Sequence, residues 1–223
     1  MTDEPHAPFP WLAVEGPIGV GKTTLARLVA ERLGRRLLLE TVDDHPFLAA
    51  FYRDPARWAL KTEVFFLLDR LEQFDAVLES PSSRGLVSDF HWRKSLLFAR
   101  TTLTGTARKR YHALFDALTT HLPEPDAVVY LRASVPTLIK RIQKRGRPYE
   151  STIDPQYLAA LSEAYDRFFA APRPNAPSAS RVLIIDTDDL DIVDDQAARM
   201  RLLAEIERVA SSSILPDDER PQA

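Results

Sequence analysis

Eight consecutive residues, Gly16-Pro17-Ile18-Gly19-Val20-Gly21-Lys22-Thr23, carry the clearest chemistry in the chain. They match G-x-x-x-x-G-K-[ST], with a strand-like run before them and a helix-like run after. Glycines let the backbone curl closely around phosphates, so that amide N–H groups point inward. The N-terminus of the following helix adds partial positive charge. Lys22 is expected to reach the β- and γ-phosphates of a nucleoside triphosphate, and the Thr23 hydroxyl to ligate magnesium. A second cluster, Arg141, Lys144, Arg145 and Arg147, falls within seven residues and is interrupted by Gly146 and Pro148. A cationic loop beside a triphosphate can close over it, balance charge on the transferred group and exclude water. Alone, the cluster also reads as a solvated helix C-terminus, where cations are favoured anyway. With the glycine-rich loop present, the reading is a lid over about residues 143–151. Together the two blocks predict phosphoryl transfer from ATP with Mg2+ and leave the acceptor open.

Short apolar runs alternate with helix-length segments and must position these groups. Strands are expected at Trp11–Glu15, Leu37–Glu40, Leu86–Ser88, Ala127–Leu131 and Val182–Ile185. Helices are expected at Lys22–Leu33, closed by Gly34, and at Ala56–Leu78, Ser95–Thr102, Ala107–Leu118, Leu138–Arg145 and Asp194–Ala210. Asp154-Pro155 opens one more helix, with Asp as N-cap and Pro at the first helical position. Continuous apolar strands joined by helical crossovers imply a five-stranded parallel sheet covered on both faces. Sites then lie at the carboxyl ends of the strands. That rule gathers Gly16–Thr23, Glu40, Asp89 and the segment after Asp186 along one edge. One domain is expected over 11–210, with flexible segments at 1–10 and 211–223 and a mobile loop at Ala171–Ser180.

The 223 residues carry a formal net charge of −3, with 45% apolar and 27% charged residues. No general basic face for nucleic acid is implied. The absence of cysteine excludes disulfides, thiolate zinc sites and cysteine nucleophiles. No run approaches the length of a membrane span, and the acidic start is unlike a secretory signal, so a cytoplasmic protein is expected. His45, His91, His112 and His121 show no metal-ligand spacing, and no transition metal is assigned.

Beyond the phosphate loop, the chain resembles the deoxynucleoside kinase family, especially its bacterial purine-deoxynucleoside members. The resemblance runs from about Trp11 to about Val193. It rests on Gly16–Thr24, Glu40, His45-Pro46-Phe47-Leu48, Phe51-Tyr52, Phe65-Phe66-Leu67-Leu68-Asp69-Arg70 with Gln73, Ser88-Asp89-Phe90, Phe98-Ala99, Val129-Tyr130-Leu131, Arg141 to Glu150, Ala164-Tyr165-Asp166-Arg167-Phe168 and Ile185-Asp186-Thr187-Asp188. It implies a P-loop kinase fold, a purine deoxynucleoside as preferred acceptor with deoxycytidine as a further one, a role in nucleotide salvage, and a homodimer built through helices. It also implies that Glu40 accepts the proton of the 5′-hydroxyl, a role that suits a carboxylate within hydrogen-bond reach of a nucleophile. Gln73 resembles the family's base-reading glutamine. Phe47, Tyr52 and Phe66 would line the acceptor pocket, Arg141 would stack on the donor base, and Arg145 and Arg147 would hold phosphates. Glu150 would touch the sugar 3′-hydroxyl, and Thr24, Asp188 and Asp189 would complete the donor site.

One departure stands out. Many members carry an acid followed by arginine after the third strand, whereas this chain has Asp89 followed by Phe90. Asp89 is expected to hold magnesium, partly through water, and Arg93 or Lys94 to supply the missing charge. Two rival readings stay open. A thymidylate-kinase-like enzyme would need an arginine aimed at a phosphate on the acceptor, and the block after Glu40 does not look like one. A catalytically silent nucleotide-binding regulator is favoured only by the missing arginine, against intact Lys22, Thr23, Glu40 and Asp89.

Overall fold

The computed structural model describes residues 9–43, 45–80, 84–120, 122–169 and 181–212. The expected loop at Ala171–Ser180, most of the N-terminal segment, His121 and residues 213–223 lie outside them.

Five strands form one parallel sheet in the order β2-β3-β1-β4-β5: β1 Trp11–Glu15, β2 Arg36–Leu38, β3 Leu86–Ser88, β4 Ala127–Arg132 and β5 Arg181–Asp186. The central strands are mainly apolar because both faces are covered. In β1, Trp11 and Ala13 face one core while Leu12 and Val14 face the other, as the two-residue period of a strand requires. One face packs helices α1 Lys22–Leu33 and α8 Gln196–Ser212, through Leu25, Val29, Leu202 and Ile206. The other packs α3 Pro55–Leu78, α4 Lys94–Thr102, α5 Gly105–Thr119 and α7 Pro155–Phe169, through Leu67, Phe74, Leu97, Phe115 and Tyr165. Two further helices are α2 Leu48–Arg53 and α6 Val135–Arg145.

The chain leaves β1 to one side for β2 and β3 and to the other for β4 and β5. Loops after β1 and its neighbours therefore diverge and open a crevice at the carboxyl edge. The P-loop kinase fold expected from the sequence is present.

Several boundaries differ. The second strand ends at Leu38, so Glu40 lies two residues beyond it. There Glu40 N–H donates to the Asp89 carboxylate at 2.7 Å instead of continuing the ladder. Helix α2 was not anticipated, because six residues give too short a period to register. Asp54 caps α3 by accepting from Arg57 N–H, with Pro55 at the first helical position. The last helix runs to Ser212, so the first two residues of the expected tail are helical.

Candidate active site

The glycine-rich loop turns sharply between β1 and α1. Gly16 has φ +148°, and a Cβ there would stand 2.3 Å from the Leu131 carbonyl oxygen, so only glycine fits. Gly21 begins α1 in the left-handed region at φ +106°. Lys22 folds back over the loop, its ammonium donating to the carbonyls of Gly16 at 2.7 Å and Pro17 at 3.0 Å. Burial and the neighbouring Lys94 lower its pKa to about 8, against the opposing carboxylates Glu15, Glu40 and Asp89. The loop is anchored from beneath by Glu15, fully buried at the end of β1. Glu15 accepts from Gly16 N–H at 3.2 Å, His91 N–H at 2.5 Å and the Tyr165 hydroxyl at 3.1 Å.

Thr23 and Asp89 meet as expected, the Thr23 hydroxyl donating to the Asp89 carboxylate at 2.5 Å. This all-oxygen pair suits a hard cation such as Mg2+, whose other ligands would be phosphate oxygens and water. Among the described residues no group of three or more His, Cys, Asp or Glu could hold a metal.

Glu40 is gripped from two sides. Arg70, on α3, donates through Nε at 2.8 Å and approaches through Nη2 at 2.6 Å, both to Oε1. Lys94, at the start of α4, donates to Oε2 at 2.8 Å. Both cations are 2% exposed. Burial alone would push the Glu40 carboxyl up, but Lys94 and Arg70 outweigh it and hold it well below the usual carboxylate range. Arg70 also donates to the Ser95 hydroxyl at 2.7 Å.

These groups line one open cleft with about 1020 Å³ of space, counting its mouth. Of the expected residues, Ile18, Gly19, Lys22, Thr23, Glu40, Tyr52, Phe66, Asp89, Lys94, Arg145, Arg147 and Glu150 face it. Across the mouth, Arg145 donates to buried Glu150 at 2.6 to 3.1 Å. Arg147 donates to Asp43 at 3.1 Å, and the Tyr149 hydroxyl to the same carboxylate at 2.8 Å. Both arginines are thus held by carboxylates, Arg145 by one within its own segment and Arg147 by one after β2. The segment expected to form a lid contains a short 3-10 turn, Pro148–Glu150, after Gly146 ends α6.

Arg141 lies apart from that cleft, on the side of the segment after β5. It donates to Val20 O at 3.3 Å, Thr187 Oγ1 at 2.8 Å and Thr187 O at 2.6 Å. Asp188 accepts from Ser134 N–H and its hydroxyl at 2.8 to 3.0 Å. That contact ties the loop after β4 to the loop after β5. Asp189 and Thr24 are exposed.

Three residues expected at the acceptor end are placed elsewhere. Gln73 does not face the cleft. Its amide donates to Leu39 O at 3.4 Å and to Thr41 Oγ1, bracing the segment that carries Glu40 from behind. Phe47 packs on Trp58, Phe65 and His45, outside the lining. Arg93 turns away to Glu124 at 2.5 Å and stacks over Trp92, so of the two cations proposed to replace the absent arginine only Lys94 reaches the cleft.

Reading the sequence missed Glu63, Arg70, Asp43 and Tyr157, all lining the cleft. A signal existed for two of them. Glu63 and Arg70 interrupt the apolar stripe of α3 at positions that share a face with Phe66, and both are about 2% exposed. A charge on a buried helical stripe calls for a partner or a function.

A model of the deoxynucleoside kinase family matches residues 12–211. The chain is 35% identical over 202 residues to a deoxyguanosine kinase of Bacillus subtilis, covering 90% of this chain and 97% of that one. It is 28% identical over 217 residues to a deoxyadenosine/deoxycytidine kinase of the same organism, covering 94% of each. A solved structure of deoxyadenosine kinase from M. mycoides with bound dCTP superposes with TM-score 0.75 at 22% identity, over 89% of this chain and 99% of that one. That likeness speaks for the fold alone. The match along nearly the whole described chain, with the phosphate loop, the gripped carboxylate and the cationic lid around one cleft, means that this chain belongs to the deoxynucleoside kinase family.

Proposed function

We propose that this chain transfers the γ-phosphoryl group of ATP to the 5′-hydroxyl of a deoxynucleoside, a purine deoxynucleoside foremost. The observation that carries the reading is the position of Glu40, held ionised in the same cleft as Lys22 and Thr23. The transition state of phosphoryl transfer is loose, with little bonding to the attacking oxygen. A weak but fixed carboxylate then suffices to orient the hydroxyl and take its proton late. Glu40 Oε2 accepts from Lys94 and, among the described residues, keeps a second lone pair for that hydroxyl. Lys22 exchanges its loop carbonyls for β- and γ-phosphate oxygens. Thr23 and Asp89 would hold magnesium, which when bound neutralises charge gathering on those oxygens. Arg145 and Arg147 leave their carboxylates to close over the phosphates, while Arg141, Asp188 and Asp189 border the donor base. Glu150 and Tyr52 are within the acceptor half.

The apolar wall beyond Glu40 argues against an acceptor that already carries phosphate. The lining includes Phe66, Phe98, Phe51 and Tyr157 with one more carboxyl, Glu63, none of which offers a cation to a phosphate. No helix of the described residues is long and apolar enough to cross a membrane. Residence in the cytoplasm, a homodimer through exposed helices and a place in nucleotide salvage remain parts of this proposal.

ADP release measured with each of the four deoxynucleosides, and with none, tests the reading. Release that depends on a deoxynucleoside, and drops below a tenth in Lys22→Ala, is the expected result. Release that ignores the deoxynucleoside, or activity that survives in Lys22→Ala, overturns it.

A further inference from the structure

Among the described residues, Lys22, Arg27, Arg70, Lys94, Arg145 and Arg147 are the cationic side chains that line the cleft. Five of them have partners. Lys22 donates to the carbonyls of Gly16 and Pro17. Arg70 and Lys94 grip Glu40. Arg145 is paired with Glu150 and Arg147 with Asp43. Arg27 is exposed, and among the described residues it has no hydrogen bond and no ion pair. The phosphoryl-transfer chemistry above makes no use of it.

Arg27 lies on α1 four residues after Thr23, so the two share one face of the helix, about 6 Å apart along its axis. The face of α1 that packs on the core is Leu25, Ala26, Val29 and Ala30. Side chains on a helix lean back toward its N-terminus. Arg27 therefore leans toward Thr23 and the amide end of α1, where phosphates gather. Thr23 donates to Asp89 at 2.5 Å, and Asp89 accepts from Glu40 N–H at 2.7 Å. These three residues form one connected row from the phosphate loop to the base, and Arg27 lines the cleft with all of them. The loop after β3 offers only Lys94, which Glu40 holds. Arg93 turns to Glu124, and Phe90 is fully buried, edge-on to Phe74 at 6.3 Å.

An unpartnered cation can move onto a phosphate without breaking any contact in the fold, whereas Lys22, Arg145 and Arg147 must first leave their partners. We infer that Arg27 is a catalytic residue that donates to the phosphoryl group as it passes from ATP to the acceptor. This inference rests on the kinase reading. The bond from the γ-phosphorus to its bridging oxygen breaks and releases ADP, while the 5′-oxygen bonds to phosphorus and gives its proton to Glu40. Arg27 forms no covalent bond and moves no proton. Its planar fork presents paired N–H donors that match two oxygens of the group. Charge in the transition state is spread over those oxygens, so a contact made there lowers the barrier.

The test compares Arg27→Met, which keeps the apolar stem, and Arg27→Lys, which keeps the charge, with the unaltered chain. ATP is the donor, and deoxyguanosine and deoxyadenosine are the acceptors. In Arg27→Met kcat should fall at least about tenfold, a modest loss for one donor removed from such a site. KM for ATP and for the deoxynucleoside should stay within about twofold, as expected of a contact made only in the transition state. Arg27→Lys should recover part of the loss. The midpoint of denaturant unfolding should not move, because no partner in the fold is orphaned. A kcat within about threefold of the unaltered value overturns the assignment. A rise in KM for ATP with kcat intact also overturns it, since Arg27 would then bind the ground state. A lowered unfolding midpoint would make Arg27 part of the fold and overturns it as well. Binding of ADP with aluminium fluoride, a mimic of the group in flight, reads the same contact without turnover. Its affinity should fall in Arg27→Met while that of ATP holds, and equal affinities overturn the inference. If no deoxynucleoside is phosphorylated by the unaltered chain, the kinase reading itself fails.

Discussion

Glu40 and Glu63 are the same residue type in the same cleft, both withdrawn from water. Glu40 has two cations against it, each donating a hydrogen bond, and is held ionised below the usual range. Glu63 has one neutral hydroxyl, and burial pushes its carboxyl up to about 7. Burial acts on both in the same direction. The partners decide which way each one moves. The comparison teaches that a buried carboxyl becomes a fixed anion where cations meet it in contact, and a group that titrates near neutrality where they do not.

The largest effect expected is at Glu40. Glu40→Gln should lower kcat by roughly 10²–10⁴, the usual worth of a positioned base. It also leaves Arg70 and Lys94 buried without their anion, at a cost in stability of about 3–5 kcal/mol. Steady-state kinetics beside denaturant unfolding reads both effects. If kcat holds while KM for the deoxynucleoside rises, Glu40 is a binding group and the contrast with Glu63 collapses.

The next effect concerns stability. The Glu63 carboxyl is raised in the folded chain above its ordinary value near 4.5. The native state then binds the extra proton between that value and about 7. Stability from this group is present below pH 4.5 and is lost as pH rises toward 7, by about 3 kcal/mol in all. Glu40 has the opposite sign, since its stabilisation is present above the ordinary value and is lost only as acid reaches its depressed one. Glu63→Gln should therefore be more stable than the unaltered chain at pH 8 and lose the downward slope between pH 5 and 7. Unfolding curves across that range check it, and an unchanged slope would mean that Glu63 is ionised throughout.

Lys94→Met should lower kcat by about tenfold, keeping the apolar stem while removing one of the two charges that hold Glu40. Its sharper signature is in the pH profile. Relieved of one cation, Glu40 should titrate at higher pH, so the acid limb of kcat should move upward. An acid limb that stays in place would show that Arg70 alone sets the state of Glu40.

The smallest effect is expected at Thr102. Thr102→Val removes the one hydroxyl that Glu63 accepts from, at a cost of about 1 kcal/mol. Since that bond favours the ionised form, the downward slope of stability with pH should extend to higher pH. A slope that ends at the same pH would show that Thr102 does not tune Glu63.

The phosphate loop could be read directly because it is local. Gly16 to Thr23 are consecutive, their geometry follows from glycine backbone freedom and one helix start, and no distant residue is needed to make the loop. The strands were equally legible, since burial on both faces of a parallel sheet writes continuous apolar runs such as Trp11–Val14 and Ala127–Leu131. The cationic cluster from Arg141 to Arg147 was visible from spacing, and Glu40 and Asp89 from their place after strands. What the sequence could not decide was which charges meet. Glu40 is bonded to Arg70 across 30 residues and to Lys94 across 54, while Arg93, beside Lys94, turns to Glu124. Gln73 and Glu63 lie on one helix, yet the rotation of α3 against the sheet sends Glu63 into the cleft and Gln73 behind the Glu40 segment. That rotation is set by packing of Leu67, Leu71 and Phe74 against the core. Local sequence determines backbone form, whereas the side chains that face one another depend on how finished elements dock, and docking is a property of the whole core.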